Sequence, residues 1–510
     1  MLRKIRIALA IIVGVFLTLY ILDFAEWVPH EFYMFSMWQF FPALLAHFVL
    51  IVGILLALTF IFGRLYCSIL CPMGVFQDVI IWISNRKIFR RIKRKQGIKP
   101  QGYRKPKTWL RITVLALSII SVIVNFTILL ALIEPYSAYS RIITHLVRPL
   151  YMWGNNALES ITSTFGVHTF FRVEIFISSV FALVISALTF ATILFLAWYY
   201  GRSFCSAVCP TGTILGFVNR GSIFKMRIDN DKCTHCGSCA YKCKAHCIDT
   251  KNVKIDTSRC VNCFDCIDAC SSHAIKYKPS LRIHKTATPT DESRRKFIAT
   301  AAVLPLLGGE KLLAKTTTAL TASGERTIPI APPGAISHEH LLNHCTSCHL
   351  CIDRCPSRVL KPATLEYGLG GIMQPLMDFE KGFCNYDCTI CTTVCPNDAL
   401  KPLTKEQKHL TQMGKVVFRR ERCVVYKYET SCGACSEHCP TQAVKMVDYK
   451  DGLTIPQIDT SICVGCGGCE HICPVRPHRA IYVEGNTIHQ QAVPITHEKQ
   501  SNTEVEDFGF

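Results

Sequence analysis

The sequence predicts an α-helical membrane domain of four transmembrane helices, built as a two-hairpin repeat, followed by two α+β bacterial ferredoxin-like 4Fe-4S domains. Three observations carry that prediction. Long uncharged apolar runs fill the first 200 residues, twenty-four of the 29 cysteines fall into six quartets, and one cysteine-bearing motif recurs after two of the apolar runs.

Residues 1–227 form the expected membrane domain. Apolar stretches at 5–24, 41–62, 109–133 and 174–200 are each long enough to cross a ~30 Å hydrocarbon core as helices. The basic start MLRKIR and the run 86–107, with eleven Lys or Arg and no acid, place those loops on the cytoplasmic side, because positive charge near helix ends is retained there. The connections 25–39 and 134–172 carry few positive charges and face outward. A net charge of +19 raises the question of nucleic acid. The basic run lies between membrane helices, so topology and anionic lipid account for it, and no nucleic-acid partner is expected.

The repeat is GRLYCSILCPMG at 63–74 and GRSFCSAVCPTG at 201–212, with seven identical positions. Each copy follows the second helix of a hairpin, which delivers Cys67, Cys71, Cys205 and Cys209 to the same cytoplasmic edge around a pseudo-twofold axis. Three readings stay open for these thiols: a shared metal or cluster site, a redox-active dithiol pair, and a structural role. Arg64 and Arg202 could support anionic thiolates or serve as topology anchors.

Residues 228–280 hold the first two quartets, Cys233, Cys236, Cys239, Cys243 and Cys260, Cys263, Cys266, Cys270. Residues 328–487 hold four more: Cys345, Cys348, Cys351, Cys355; Cys384, Cys388, Cys391, Cys395; Cys423, Cys432, Cys435, Cys439; and Cys463, Cys466, Cys469, Cys473. The run C-x-x-C-x-x-C-x-x-x-C wraps three thiolates round one cubane and sends the fourth to its partner, so six 4Fe-4S clusters are expected. A long apolar chain does not need disulfides to make a core, and structural zinc prefers two separated C-x-x-C pairs. Proline follows the fourth cysteine at Pro356, Pro396, Pro440 and Pro474, whereas Lys244 and Ser271 stand there in the first pair. Short strands are expected at AVKMV and AIYVE, behind the fourth cysteines of the last two quartets. Cys247 stays unassigned, and 488–510 read as a polar tail.

Between the two cysteine-rich domains, the linker 281–327 contains Arg294 and Arg295, then Phe297, Ile298 and a short apolar span to Gly309. This is a twin-arginine-like signal, the route by which folded, cluster-loaded cargo crosses a membrane through the twin-arginine translocase.

The irregular C-x3-C and C-x8-C spacings, the lead-in APPGAI and the upstream twin arginine make residues 293–485 resemble the NapG/MauM type of periplasmic four-cluster ferredoxin. Residues 5–277, with two C-x-x-x-C-P motifs and a two-cluster ferredoxin, resemble NapH and its NosR-like kin. The resemblance implies a fusion of the two in a bacterial cytoplasmic membrane, with the N-terminus and first ferredoxin cytoplasmic and the C-terminal ferredoxin periplasmic. It also implies quinol oxidation, with the quinone pool on one side and a periplasmic reductase or cytochrome on the other. By the same analogy, quartets one and four of the exported unit exchange their last cysteines, as do two and three. A redox maturation or sensing factor for a respiratory metalloenzyme is the rival reading.

The sequence names no catalytic residue. His30, Glu31, Glu134, Tyr136, Arg141 and His145 lie near the outer boundary, where interfacial anchoring explains them. His47, placed inside the second helix, is the stronger candidate for a quinol site because ionisable groups there are costly, with a satisfied packing role as the equal alternative. No G-x-G-x-x-G follows a strand, which argues against direct use of NADH.

Overall fold

The computed structural model describes residues 1–23, 28–89, 91, 102–124, 126–166, 168–279 and 326–494. The twin-arginine segment and half of the basic run 86–107 lie outside them. Among the described residues two helices are long and apolar enough to cross a membrane, α1 (Leu2–Leu22) and, after the intervening helices, the one at Val180–Tyr200. At 21 residues each, they span roughly 31 Å.

The other two expected spans are each broken. The stretch 41–62 divides into α2 (Phe40–Leu45) and α3 (Val49–Phe62), because His47 adopts a left-handed backbone with φ +58°. The stretch 109–133 divides into α5 (Thr108–Ile123) and α6 (Ile128–Ile133), with α4 (Pro72–Ser84) preceding them. There the Phe126 amide reaches back to Ser121 O, five residues away, and unwinds the helix. Hydropathy sums apolar side chains and does not register such hinges. Broken helices survive at membrane depth when packed against protein. α7 (Pro135–Ile142) is buried along its whole length, α8 (Arg148–Thr164) is amphipathic, and α9 is the span Val180–Tyr200.

The repeated motifs are re-entrant. Gly63 (φ +75°) and Gly201 (φ +60°) end α3 and α9 in a conformation that L residues rarely adopt, and the chain turns back into the helical body. Pro72 and Pro210 then open α4 and α10 (Pro210–Arg220), where a missing N–H costs nothing. α4 lies along α1, with Asp78 paired to Arg6 at 2.9 Å and Val75 against Gly14. Its cysteine-bearing end therefore points away from the start of α1 and into the bundle. The four motif cysteines are consequently inside the helical body and not at its edge, as the sequence suggested.

The N-terminal ferredoxin unit pairs β1 (Phe224–Ile228) with β4 (Ile275–Pro279), antiparallel, around β2 (Ile248–Asp249) and β3 (Lys254–Ile255). It sits where α1 begins and α3 and α9 end. Arg3 binds Asp265 at 2.8 Å, the Tyr277 hydroxyl donates to Phe62 O at 2.7 Å, and Arg202 N donates to Lys244 O at 2.9 Å.

The C-terminal unit contains β5 (Leu360–Pro362) with β6 (Pro375–Met377), β7 (Thr411–Phe418) with β10 (Ile481–Gln491), and β8 (Val444–Asp448) with β9 (Thr454–Ile458). The strands expected behind the last two quartets are β8 and β10. Glu470 ties the ends of the unit together, accepting from Arg326 at 2.7 Å and from Val483 N at 2.7 Å. This unit docks at the opposite end of α1 and α9: Arg354 donates to Tyr20 O, Arg358 pairs with Glu174 at 3.0 Å, and Arg148 pairs with Asp353. The two ferredoxin units thus flank the helical half at opposite ends of both long helices.

Candidate iron-sulfur sites

In four quartets the loop has one backbone signature. The residue two after the first cysteine and the residue two further on are both left-handed: His235 and Gly237, Asn262 and Phe264, Ser347 and His349, Gly465 and Gly467. Alternation of this kind turns successive amides toward one point and builds a concavity for an anion. Ser347 N already donates to Cys345 Sγ at 3.4 Å.

The fourth cysteines cross over. Cys243 lies with Cys260, Cys263 and Cys266, while Cys270 lies with Cys239. In the C-terminal unit Cys395 lies with Cys345, Cys348 and Cys351, and Cys355 with Cys384, Cys388 and Cys391. Likewise Cys473 lies with Cys423, Cys432 and Cys435, and Cys439 with Cys463, Cys466 and Cys469. Exchange therefore joins quartet one to two and three to four, which corrects the one-to-four and two-to-three pairing implied by the family resemblance. The physical reason is local: each fourth cysteine follows a one-turn helix that packs on the adjacent loop of its own pair, the next loop for Cys243, Cys355 and Cys439 and the preceding one for Cys270, Cys395 and Cys473. The two pairs meet where Cys384 N donates to Cys466 O at 2.9 Å.

These sets fit cubane clusters. All the cysteines are free thiols. Burial pushes the Cys348 thiol up to about 12, and burial with neighbouring thiols raises Cys351 well above the ordinary range. Such a set is held as thiolates only by a cationic core. Among the described residues no three Cys, His, Asp or Glu converge as a single ion requires, whereas a cubane spaces its ligand sulfurs more widely.

Cys67, Cys71, Cys205 and Cys209 are all at most 4% exposed and within electrostatic reach of one another. The pseudo-twofold is closed by exchanged arginines. Arg64 of the first copy reaches Cys205 O at 3.4 Å in the second, and Arg202 of the second donates to Cys67 O at 2.7 Å in the first. Both guanidiniums are fully buried, with Arg202 paired to Asp78 at 2.8 Å. A Cβ on Gly74 would collide with Cys67 O, and one on Gly212 with Cys205 O, so the invariant spacing of the repeat is a packing requirement. Cys263 is near Arg202 on one side, and on the other Tyr66 is near both Cys71 and Glu134, which in turn is near Cys348. The four thiols stand between the two ferredoxin units.

Of the outer-boundary residues, Glu134, Tyr136, Arg141 and His145 are buried at the junction with the C-terminal unit, whereas Glu31 is exposed. Glu134 caps α7, accepting from Tyr136 N at 3.0 Å, and Arg141 donates to Ser347 O at 2.9 Å. His145 Nε2 lies 2.6 Å from His349 Nδ1, and His349 Nε2 donates to Met373 O, so a neutral His349 accepts from His145. His47 lies at the α2–α3 break, its ring 5.7 Å from that of His344. His30 falls in a short helical turn, and its side chain lies outside the described residues.

The structure places Cys247, left unassigned by the sequence, and brings in Lys408, which the sequence did not single out. Cys247 is 3.5 Å from Cys243 and lines the small cavity walled by Cys243, Cys260, Cys263 and Cys266. Lys408 is buried, donates to the carbonyls of Asn385 and Cys388, and faces the Cys384 thiol. The C-x3-C signal for Cys247 was present in KCKAHC, but nothing in the sequence brings Lys408 to the second quartet.

A 4Fe-4S binding domain matches residues 44–97 and again 180–229, so each match covers one copy of the repeated motif. A 4Fe-4S dicluster domain matches 430–476, and another matches 256–359, a range whose cysteines the structure divides between the two ferredoxin units. The chain is 28% identical over 157 residues to ferredoxin-type protein NapF of Escherichia coli, covering 31% of this chain and 87% of NapF. It is 29% identical over 164 residues to ferredoxin-type protein NapG of Escherichia coli, covering 30% of this chain and 68% of NapG. No solved structure matches the chain significantly. Over 200 residues it is 30% identical to the methylamine utilization ferredoxin-type protein MauM of Methylorubrum extorquens, covering 37% of this chain and 87% of MauM, and by this measure the chain belongs to the MauM family of ferredoxin-type proteins.

Proposed function

We propose that the protein is a membrane-anchored electron carrier that oxidises quinol and passes electrons through 4Fe-4S clusters to an extracytoplasmic reductase or cytochrome. The observation that carries this reading is the seating of two ferredoxin units at opposite ends of α1 and α9, the two helices long enough to span a bilayer. The N-terminal unit is then cytoplasmic and the C-terminal unit periplasmic. The segment 280–325, which contains the twin arginine, lies between the two units in the sequence.

Six exchanged cysteine sets would hold clusters, which supply one-electron carriage when bound. Clusters held by the Cys345 and Cys384 sets would accept the two electrons of a quinol one at a time, its two protons leaving to solvent on the side of the C-terminal unit. From the Cys384 set the contact with Cys466 leads on to the Cys463 set and then to the Cys423 set. Beside that last set, Tyr426 and Tyr428 are exposed, which suits docking of an acceptor.

The four thiols of the repeat would hold one further centre. Cys71 and Cys209 stand at the N-termini of α4 and α10, where the helix dipoles favour negative charge, and the buried Arg64 and Arg202 add two positive charges. The match of a 4Fe-4S binding domain to both copies supports a shared cluster over a simple dithiol pair. Such a centre would link the cytoplasmic ferredoxin to the outer clusters.

Anaerobic addition of duroquinol to the oxidised protein tests the main reading. Bleaching of the cluster absorbance supports it, and unchanged absorbance with protein that dithionite does bleach contradicts it.

A further inference from the structure

A cavity of about 230 Å³ lies where α8, the chain ahead of α9 and residues 352–358 of the C-terminal unit meet. We infer that it is the binding site for the quinol head group, assembled jointly by the helical half and the C-terminal ferredoxin. This inference rests on the quinol reading above and adds its location.

The first argument is chemical. Thr144, Arg148, Asp353 and Arg354 line the cavity, and each carries a buried polar atom (Oγ1, Nε, Oδ2 and Nε) without a hydrogen-bond partner. Unpartnered buried polar atoms are costly, so a set of four at one site marks a place that a ligand satisfies. The set mixes donors with an acceptor. Arg148 is already paired with Asp353 and Arg354 with Asp23, so the charges of the lining balance and do not select a simple anion. A quinol presents an O–H to the carboxylate and an oxygen to the guanidiniums.

The second argument is shape and access. Met152, Phe176 and Ile177 give the cavity an apolar wall for a ring. Its volume falls just below the usual range for small-ligand sites, which suits a single head group with its tail outside. The exposed apolar face of α8, with Leu150 at 70%, Trp153 at 67% and Ile161 at 56%, marks the lipid boundary beside it.

The third argument is position. Cys355 forms part of the cavity wall and belongs with Cys384, Cys388 and Cys391. A bound ring therefore touches a cysteine of the first exchanged pair, and Ile352 in the wall adjoins Cys351 of the other set.

The test uses the full-length protein in nanodiscs and the fluorescent quinol analogue 2-heptyl-4-hydroxyquinoline N-oxide. Quenching titrations read binding without turnover. Met152→Trp fills the cavity, Thr144→Val removes one polar contact, and Leu158→Trp on the lipid face of α8 is the control. The expected result is weaker binding and slower duroquinol reduction, by about tenfold, in the first two variants and not in the control, with iron content and the dithionite-reduced spectrum unchanged. Wild-type binding or wild-type reduction rate in both cavity variants overturns the site while leaving quinol oxidation standing. A wild-type protein that neither binds the analogue nor is reduced by duroquinol overturns the quinol reading and the site with it.

Discussion

Cys355 and Cys395 set the electron path in the C-terminal unit, since each leaves its own loop to complete the other's set. Cys395→Ser should therefore deplete the cluster of the Cys345 loop, lowering iron by about four atoms per chain while the Cys384 set keeps its own. EPR of the reduced variant checks which signal is lost. Lys408 places a buried positive charge beside the Cys384 set, which favours the more negative, reduced state. Lys408→Met should lower that cluster's potential by on the order of tens of millivolts in a redox titration. Asp78 accepts Arg202 at 2.8 Å, Arg6 at 2.9 Å and Lys244 at 3.3 Å. Asp78→Asn strands those cations in a buried site, so thermal unfolding should register a loss of about 3–5 kcal/mol. The quartets were legible because three ligands of a cubane are sequence neighbours. The partner of each fourth cysteine was not, since it depends on which loop the following turn packs against.

At the level of elements, α1 and α9 were legible as uninterrupted apolar runs, and β8 and β10 as β-rich pieces behind cysteines. The breaks at His47 and between α5 and α6 were not, because they arise from backbone conformation that side-chain polarity does not encode. Nor was the re-entrance of the C-x-x-x-C-P segments. Proline after cysteine signals a helix boundary, and only the packing of Val75 on Gly14 shows that the helix beyond it runs back along α1. The flanking of α1 by two ferredoxin units gives a topological expectation. A green fluorescent protein fused after Pro279 should fluoresce, having folded in the cytoplasm. The same reporter exported unfolded after a span at α1 should be dark.

Across the whole molecule, the thiol sets form a series from the N-terminal unit through the C-x-x-x-C-P cysteines to the C-terminal unit. The helical half alone is roughly 31 Å deep along α1, so the buried thiols between the two ends decide whether the N-terminal ferredoxin shares a circuit with the C-terminal one. Anaerobic iron and sulfide quantification should give about twenty-eight iron atoms if a seventh cubane is present and about twenty-four if the repeat holds none. Replacing Cys71 and Cys209 together should remove that difference and leave duroquinol reduction of the C-terminal unit intact. The most direct measurement for the account as a whole is EPR on anaerobic, oxidised, full-length protein in nanodiscs after mixing with duroquinol. The prediction is that reduced-cluster signals of the C-terminal unit appear first. Clusters that dithionite reduces but quinol leaves oxidised would contradict it.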